Sequence, residues 1–102
     1  MAIAVDAMGG DSPLTVQIEA ALEATSDLGI EVILVGAEDQ IKEILNQHSF
    51  DQDKLRVVNS TEIVAMNDSP ATALRQKKNS SIKLAVDLLA RGEADAVVSA
   101  GN

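Results

Sequence analysis

Four short apolar runs predict four β-strands in this chain. They lie at residues 2–5, 31–35, 55–58 and 95–99 and are rich in alanine, valine, isoleucine and leucine. Most of their side chains are apolar on both faces, which is typical of strands that are buried on both sides of a parallel sheet.

A helix is predicted between the first two runs, over residues 14–28. Ser12 is a favourable N-cap residue, Pro13 suits the first helical position, and Gly29 is a favourable stop. The side chains expected to face the sheet recur at helical spacing and are Leu14, Ile18, Ala21, Leu22, Thr25 and Leu28.

Two further helices are predicted by the same spacing. The first covers residues 37–47, and its expected inward side chains are Ile41, Ile44 and Leu45. The second covers residues 80–91 and ends at Gly92, and its expected inward side chains are Ile82, Ala85, Val86 and Leu89.

The alternation of strands and helices predicts an α/β fold with a parallel sheet and right-handed crossovers. Residues 60–79 are less regular, although Ser69 and Pro70 predict the start of a short helix over 70–77. The last strand is followed by a turn of small residues, and such a turn normally leads into a helix. We therefore expect the chain to be the N-terminal piece of a larger protein or a truncated form.

Composition narrows the classes of function. The length of 102 residues suits about one domain, and 46% hydrophobic residues suffice for a packed core. A net charge of −8 and a single aromatic residue disfavour binding to nucleic acids and anionic membranes. The absence of cysteine and the single histidine exclude disulfides and thiolate or multi-histidine metal sites. Because neither a signal peptide nor a membrane-spanning run is apparent, we expect a cytoplasmic protein.

Half of the positive charge lies in one short stretch of this acidic chain. Lysine and arginine total 8 against 16 acidic residues. The clustered positive residues are Arg75, Lys77, Lys78 and Lys83. They predict a site for an anion, although lysines on a surface are also commonly just solvated.

Three segments with polar or glycine residues are expected beyond the carboxyl ends of the strands, where ligands of open α/β sheets bind. The segment after the first strand contains Asp6, Gly9, Gly10 and Asp11. The segment after the fourth strand contains Ser99, Gly101 and Asn102. The segment before the last helix contains Arg75, Ser80 and Ser81.

A phosphate group would satisfy all three segments. Glycine lets backbone N–H groups approach an anion, a helix N-terminus attracts it, and Arg75 offers a bidentate fork. Each segment also has an ordinary structural interpretation, in which the glycines form a turn and the serines or Asp6 act as caps. Neither the dinucleotide nor the P-loop glycine motif is present. From these residues alone, the prediction is an anion-binding α/β domain.

Three motifs resemble the PlsX family, the acyl-acyl carrier protein:phosphate acyltransferases of bacterial phospholipid synthesis. They are VDAMGGD at residues 5–11, SPATALRQKKNSS at 69–81 and ADAVVSAGN at 94–102. The resemblance runs along the whole chain, in the family's order and approximate spacing. It implies that residues 1–102 are the N-terminal part of a single α/β phosphate acyltransferase domain, cut after the fourth strand.

The resemblance also implies a fold, a reaction and partners. The fold is a three-layer α/β/α Rossmann-like parallel sheet, similar to isocitrate and isopropylmalate dehydrogenases. The reaction moves a fatty acyl group from acyl-acyl carrier protein to inorganic phosphate and needs no cofactor. The full-length enzyme is expected to be a cytoplasmic homodimer with peripheral membrane contact, whereas this piece alone is expected to be inactive.

Roles for individual residues follow from the same resemblance. The expected catalytic residues are Asp6 and Asn102. The expected phosphate-binding residues are Gly9, Gly10, Arg75, Ser80, Ser81, Ser99 and Gly101, and Asn102 is also expected to hold phosphate. Lys77 and Lys78 are expected to meet the acidic acyl carrier protein.

Three other classes of function compete with this interpretation. One is a phosphotransacetylase-like enzyme that acts on acyl-coenzyme A, which an assay of both thioesters would distinguish. Another is a non-catalytic phosphoanion-binding module that folds and binds alone. A dinucleotide-dependent dehydrogenase is the least favoured, because the glycine fingerprint is absent.

Overall fold

The computed structural model describes residues 1–8, 13–60 and 81–99. The strands in these ranges are β1 (Ala2–Asp6), β2 (Glu31–Gly36), β3 (Leu55–Asn59) and β4 (Ala96–Ser99). The helices in the same ranges are α1 (Leu14–Leu28), α2 (Glu38–Leu45) and α3 (Ser81–Ala90). Each predicted strand is confirmed, with its ends within about one residue of the prediction, which is the usual uncertainty of element boundaries.

The four strands form one parallel sheet in the order β3-β2-β1-β4. The predicted α/β fold is therefore confirmed. The chain adds β2 and β3 on one side of β1 and then places β4 on the other side. The winding direction thus reverses between β1 and β4.

Helices cover both faces of the sheet. On one face, buried side chains of α1 and α2 meet alternate residues of β2, and this core includes Ile18, Ala21, Ile41, Leu45, Val32 and Leu34. On the other face, α3 meets the intervening residues, and this core includes Ala85, Leu88, Ala4, Ile33 and Val35. Because β2 is buried on both faces, its apolar run has no polar alternation.

Helix α1 has the predicted length, and its ends have clear causes. Gly29 follows it with φ of 66°, a left-handed conformation that favours glycine. Pro13 occupies the N-cap position, so the prediction of Ser12 as the N-cap and Pro13 as the first helical residue was wrong by one residue. The Pro13 carbonyl accepts hydrogen bonds from the N–H groups of Val16 and Gln17. The inward prediction was wrong for Leu28, which is 71% exposed. Thr25 is the last buried position of the helix, so the final turn extends past the core.

Helix α3 was predicted at the right place but with its buried face slightly rotated. The buried residues are Ser81, Ala85 and Leu88, which lie at the i, i+4 and i+7 positions of one helical face. Leu89 is 42% exposed, so its inward prediction was wrong. Gly92 ends the helix with φ of 77°, as predicted. Backbone hydrogen bonds from Gly92 to Leu89 and from Glu93 to Leu88 form a Schellman motif there.

Helix α2 is shorter than predicted, and Ile41 and Leu45 are buried as expected. The predicted short helix over 70–77 lies outside the described residues. None of the described helices has both the length and the apolar composition that crossing a membrane requires.

Candidate functional site

The carboxyl ends of β1 and β4 lie side by side at the point where the strand order reverses. Asp6 is the last residue of β1 and Ser99 is the last residue of β4, and the two are register partners. Helix α3 begins at Ser81 on one face of the same sheet. Ligands of open parallel sheets bind in the crevice beyond such a switch point.

The carboxylate of Asp6 joins these three elements. The Ser81 hydroxyl donates a hydrogen bond to Oδ1 of Asp6. The Ser99 hydroxyl donates to Oδ2 over 3.0 Å, and the backbone N–H of Met8 donates to Oδ1 over 3.1 Å. We call Asp6, Ser81 and Ser99 the switch-point cluster.

The switch-point cluster is largely shielded from solvent. Asp6 is 4% exposed and Ser81 is 2% exposed, whereas Ser99 is half-buried. Burying a carboxylate is costly unless hydrogen bonds replace those of water. The three donors around Asp6 supply that replacement, and hydrogen bonds to a charged acceptor are the stronger kind.

The position of Ser81 follows from the periodicity of α3. Ser81 lies one turn before Ala85 on the face that packs against the sheet, so its side chain points toward Asp6 rather than into solvent. The inward orientation of Ser81 could have been predicted from the sequence, because Ser81, Ala85 and Leu88 have helical spacing. A serine on an otherwise apolar face indicates a buried hydrogen-bond partner.

Met8 and Gly36 form a contact that the sequence analysis missed. The N–H of Ala7 donates to the carbonyl of Val35, which carries the pairing of β1 and β2 past the end of β1. Met8 then lies over Gly36, where a Cβ atom would be 2.8 Å from the Met8 Cγ atom. Gly36 is therefore needed to let the segment after Asp6 pack against the end of β2.

Two hydrogen bonds join the end of β3 to the start of α2 and to the end of β2, so this part of the chain has a structural role. The Asn59 side-chain oxygen accepts a hydrogen bond of 3.1 Å from the N–H of Glu38, at the start of α2. The N–H of Ser60 donates to the carbonyl of Gly36 over 2.7 Å. Asn59 thus satisfies a backbone donor at a helix N-terminus.

Three of the predicted site residues are brought together, namely Asp6, Ser81 and Ser99. The other predicted site residues lie outside the described residues: Gly9, Gly10, Arg75, Lys77, Lys78, Ser80, Gly101 and Asn102. Lys83, the remaining member of the basic stretch, forms an ion pair of 2.7 Å with Asp87 on the same helix. The roles of all these residues remain predictions.

Metal binding finds no support in the part of the chain that the structure describes. No group of three or more histidine, cysteine, aspartate or glutamate side chains there is arranged to hold a metal ion. In the switch-point cluster, one carboxylate is accompanied by two hydroxyls, and its oxygens accept hydrogen bonds from both.

All 102 residues match one family of proteins. The family model described as fatty acid synthesis protein covers residues 1–102. The chain belongs to this family. The resemblance seen in the three motifs is therefore confirmed over the whole chain.

Members of the fatty acid synthesis protein family that resemble this chain are named phosphate acyltransferase. The protein of that name from Trichlorobacter lovleyi is 43% identical over 102 residues, which are 100% of this chain and 30% of that protein. Those from Geotalea uraniireducens and Clostridioides difficile are 45% and 38% identical, with the same coverage of both chains. The chain thus spans 30% of the length of these relatives.

Proposed function

We propose that the full-length protein is a phosphate acyltransferase that moves a fatty acyl group from acyl-acyl carrier protein to inorganic phosphate. The acyl phosphate would then serve phospholipid synthesis. The observation that carries this proposal is the similarity of all 102 residues to proteins named phosphate acyltransferase. In this proposal, residues 1–102 are the N-terminal part of a single α/β domain.

The proposed reaction balances without a cofactor. An oxygen of hydrogenphosphate attacks the thioester carbonyl, a carbon–oxygen bond forms, and the carbon–sulfur bond breaks. The proton of hydrogenphosphate ends on the sulfur of the carrier protein, and no atom is oxidised or reduced. Since phosphate is itself the nucleophile, the protein has to position it and stabilise the tetrahedral oxyanion.

The position of the switch-point cluster supports the carboxyl edge of the sheet as the site of the proposed reaction. It lies where ligands of parallel sheets bind, and it joins two strand ends to the start of α3. In the proposed site, Asp6 and Asn102 act in catalysis. Phosphate is held by Asn102 together with Gly9, Gly10, Arg75, Ser80, Ser81, Ser99 and Gly101.

The proposed partners follow from the same assignment. Lys77 and Lys78 would attract the acidic surface of acyl carrier protein, because opposite charges steer association. The full-length protein is proposed to be a cytoplasmic homodimer that contacts the membrane peripherally. Both features would belong to the full-length protein. The relatives named phosphate acyltransferase are about three times as long as this chain.

An assay of two thioesters tests the proposed function. The full-length protein is incubated with phosphate and either acyl-acyl carrier protein or acyl-coenzyme A, and hydroxylamine traps the acyl phosphate. We expect phosphate-dependent acyl hydroxamate from the carrier-protein thioester. Product from acyl-coenzyme A alone would identify a phosphotransacetylase-like enzyme instead. No product from either thioester by a folded protein would contradict the acyltransferase assignment.

A further inference from the structure

The sheet face that α1 covers is left open beside β4. A groove of about 280 Å³ lies there next to α1, over β1 and β4. The strands line it with Val5 and Val98, and the helix lines it with Ala20 and Ala24. Apart from Gln17, the described residues that line this groove are apolar. We call it the α1–β4 groove.

The two faces of β4 differ in how far they are covered. Val97 packs against the core on the α3 side. Its neighbour Val98 lines the groove on the α1 side and is 51% exposed. Parallel strands are normally buried on both faces, and contiguous exposed apolar surface marks a site of contact. The described residues thus leave an apolar part of the sheet without a cover.

The exposed side of α1 continues this apolar surface. One row of residues spaced four apart along the helix is apolar and consists of Val16, Ala20, Ala24 and Leu28. At the ends of the row, Val16 is 52% exposed and Leu28 is 71% exposed. Rows of residues four apart are the ridges that pack into the grooves of a second helix. The combined surface of α1 and β4 therefore fits an apolar helix.

We propose that an apolar helix from the part of the full-length protein beyond residue 102 packs into the α1–β4 groove. The relatives named phosphate acyltransferase are about three times as long as this chain, so most of such a protein lies outside residues 1–102. A helix of the same chain would complete the core on the α1 side of β1 and β4. This inference goes beyond the proposed reaction and does not depend on it.

The handedness of the crossovers indicates which part of the chain supplies this helix. From β1 to β2 the chain moves toward β3, and the crossover helix α1 lies on one face of the sheet. From β3 to β4 it moves in the opposite direction, and α3 lies on the other face. A strand added beyond β4 would continue in that second direction, so a right-handed crossover would place its helix on the α3 face as well. The helix in the groove is therefore expected to come from later in the chain than the crossover after β4.

Site-specific photo-cross-linking of the full-length protein tests the inference. An amino acid with a diazirine side chain replaces Val98, the protein is irradiated, and mass spectrometry maps the cross-linked peptides. We expect cross-links within one chain to a helix beyond residue 102 that comes later than the crossover after β4. Glu43, which is exposed on α2, is the control position. It should give about tenfold fewer cross-links, because an exposed side chain has few neighbouring atoms of the protein.

The position of the cross-link distinguishes the possible occupants of the groove. A product of twice the mass on a denaturing gel would show that a second copy of the protein covers the groove, and it would overturn the inference. Cross-links only to residues 9–12 or 61–80 would overturn it too, because the cover would then come from within residues 1–102. Cross-links to the crossover directly after β4 would contradict the topological argument and overturn the proposed origin of the helix.

Thiol labelling is a second measurement that leaves Val98 unaltered. Residues 1–102 contain no cysteine, so Ala24→Cys introduces a single thiol once any cysteine beyond residue 102 is replaced by serine. In the folded protein, we expect this thiol to react with a maleimide about tenfold more slowly than that of Glu43→Cys, because burial limits access of the reagent. Equal rates for the two variants would overturn the inference. Neither measurement requires acyltransferase activity, so the result is separate from that of the thioester assay.

Discussion

Asp6 is the residue on which the candidate site depends most. It is 4% exposed, and it accepts hydrogen bonds from two side chains and one backbone N–H group that come from different parts of the chain. The alternative interpretation of Asp6 as a turn cap is also partly realised, since the N–H of Met8 donates to its Oδ1 atom. A single carboxylate thus stabilises the local turn and joins two more distant elements.

Replacing Asp6 with alanine should lower the free energy of unfolding of the full-length protein by about 2–4 kcal/mol. The reason is that two hydroxyls and one backbone N–H group lose their common acceptor in a buried place. Denaturant unfolding followed by circular dichroism measures the change. Asp95→Ala is the matched control and should cost less than about 1 kcal/mol, because that side chain is exposed. Equal costs for the two variants would contradict the structural role of Asp6.

At the level of elements, the site depends on how the segment after β1 packs on the end of β2. Gly36 has no left-handed conformation, so its small size is what matters. A Cβ atom at Gly36 would be 2.8 Å from the Met8 Cγ atom and 3.1 Å from the Ile41 Cδ1 atom. Met8 directly precedes Gly9, so a displaced Met8 side chain would disturb the first predicted phosphate-binding segment.

Gly36→Ala should therefore cost about 1–3 kcal/mol in stability, because the added methyl group overpacks this contact. It should also slow the proposed acyltransferase reaction of the full-length protein, since Met8 has to move. Adding Met8→Ala removes the closest contact and should recover at least half of the stability that Gly36→Ala loses. A double-mutant cycle on denaturant unfolding measures this coupling. Additive effects of the two substitutions would show that Met8 and Gly36 do not interact as described.

The elements themselves were largely predictable from local patterns. Apolar β-branched runs predicted the strands to within about one residue, and Gly29 and Gly92 marked helix ends. The wrong inward predictions, Leu28 and Leu89, share a physical cause. Both are apolar residues near the C-terminal ends of their helices, and whether such a residue is buried depends on how far the sheet extends beneath it.

At the scale of the whole molecule, the strand order creates the site. Ser81 and Ser99 are 75 and 93 positions away from Asp6 in the sequence, yet both hydroxyls reach its carboxylate. This meeting requires β4 to pair with β1 and α3 to cover the face of the sheet opposite to α1. The sequence predicted that these residues lie at one edge, because parallel strands share a carboxyl edge.

The hydrogen-bond directions at this edge could not be predicted from the sequence. They depend on the strand order and on the register that pairs Asp6 with Ser99, and neither is encoded in a local pattern. The sequence analysis placed both serines among the residues expected to bind phosphate. In the structure, both hydroxyls donate to the carboxylate of Asp6.

The proposed function requires phosphate itself to attack the thioester in the full-length protein. Its most direct test is mass spectrometry of the product formed from acyl-acyl carrier protein and phosphate labelled in all its oxygens. We predict an acyl phosphate that carries every labelled oxygen, because a phosphate oxygen forms the new bond to the acyl carbon while the carbon–sulfur bond breaks. Release of unlabelled fatty acid, or an intact thioester in the presence of folded protein, would contradict the proposed function.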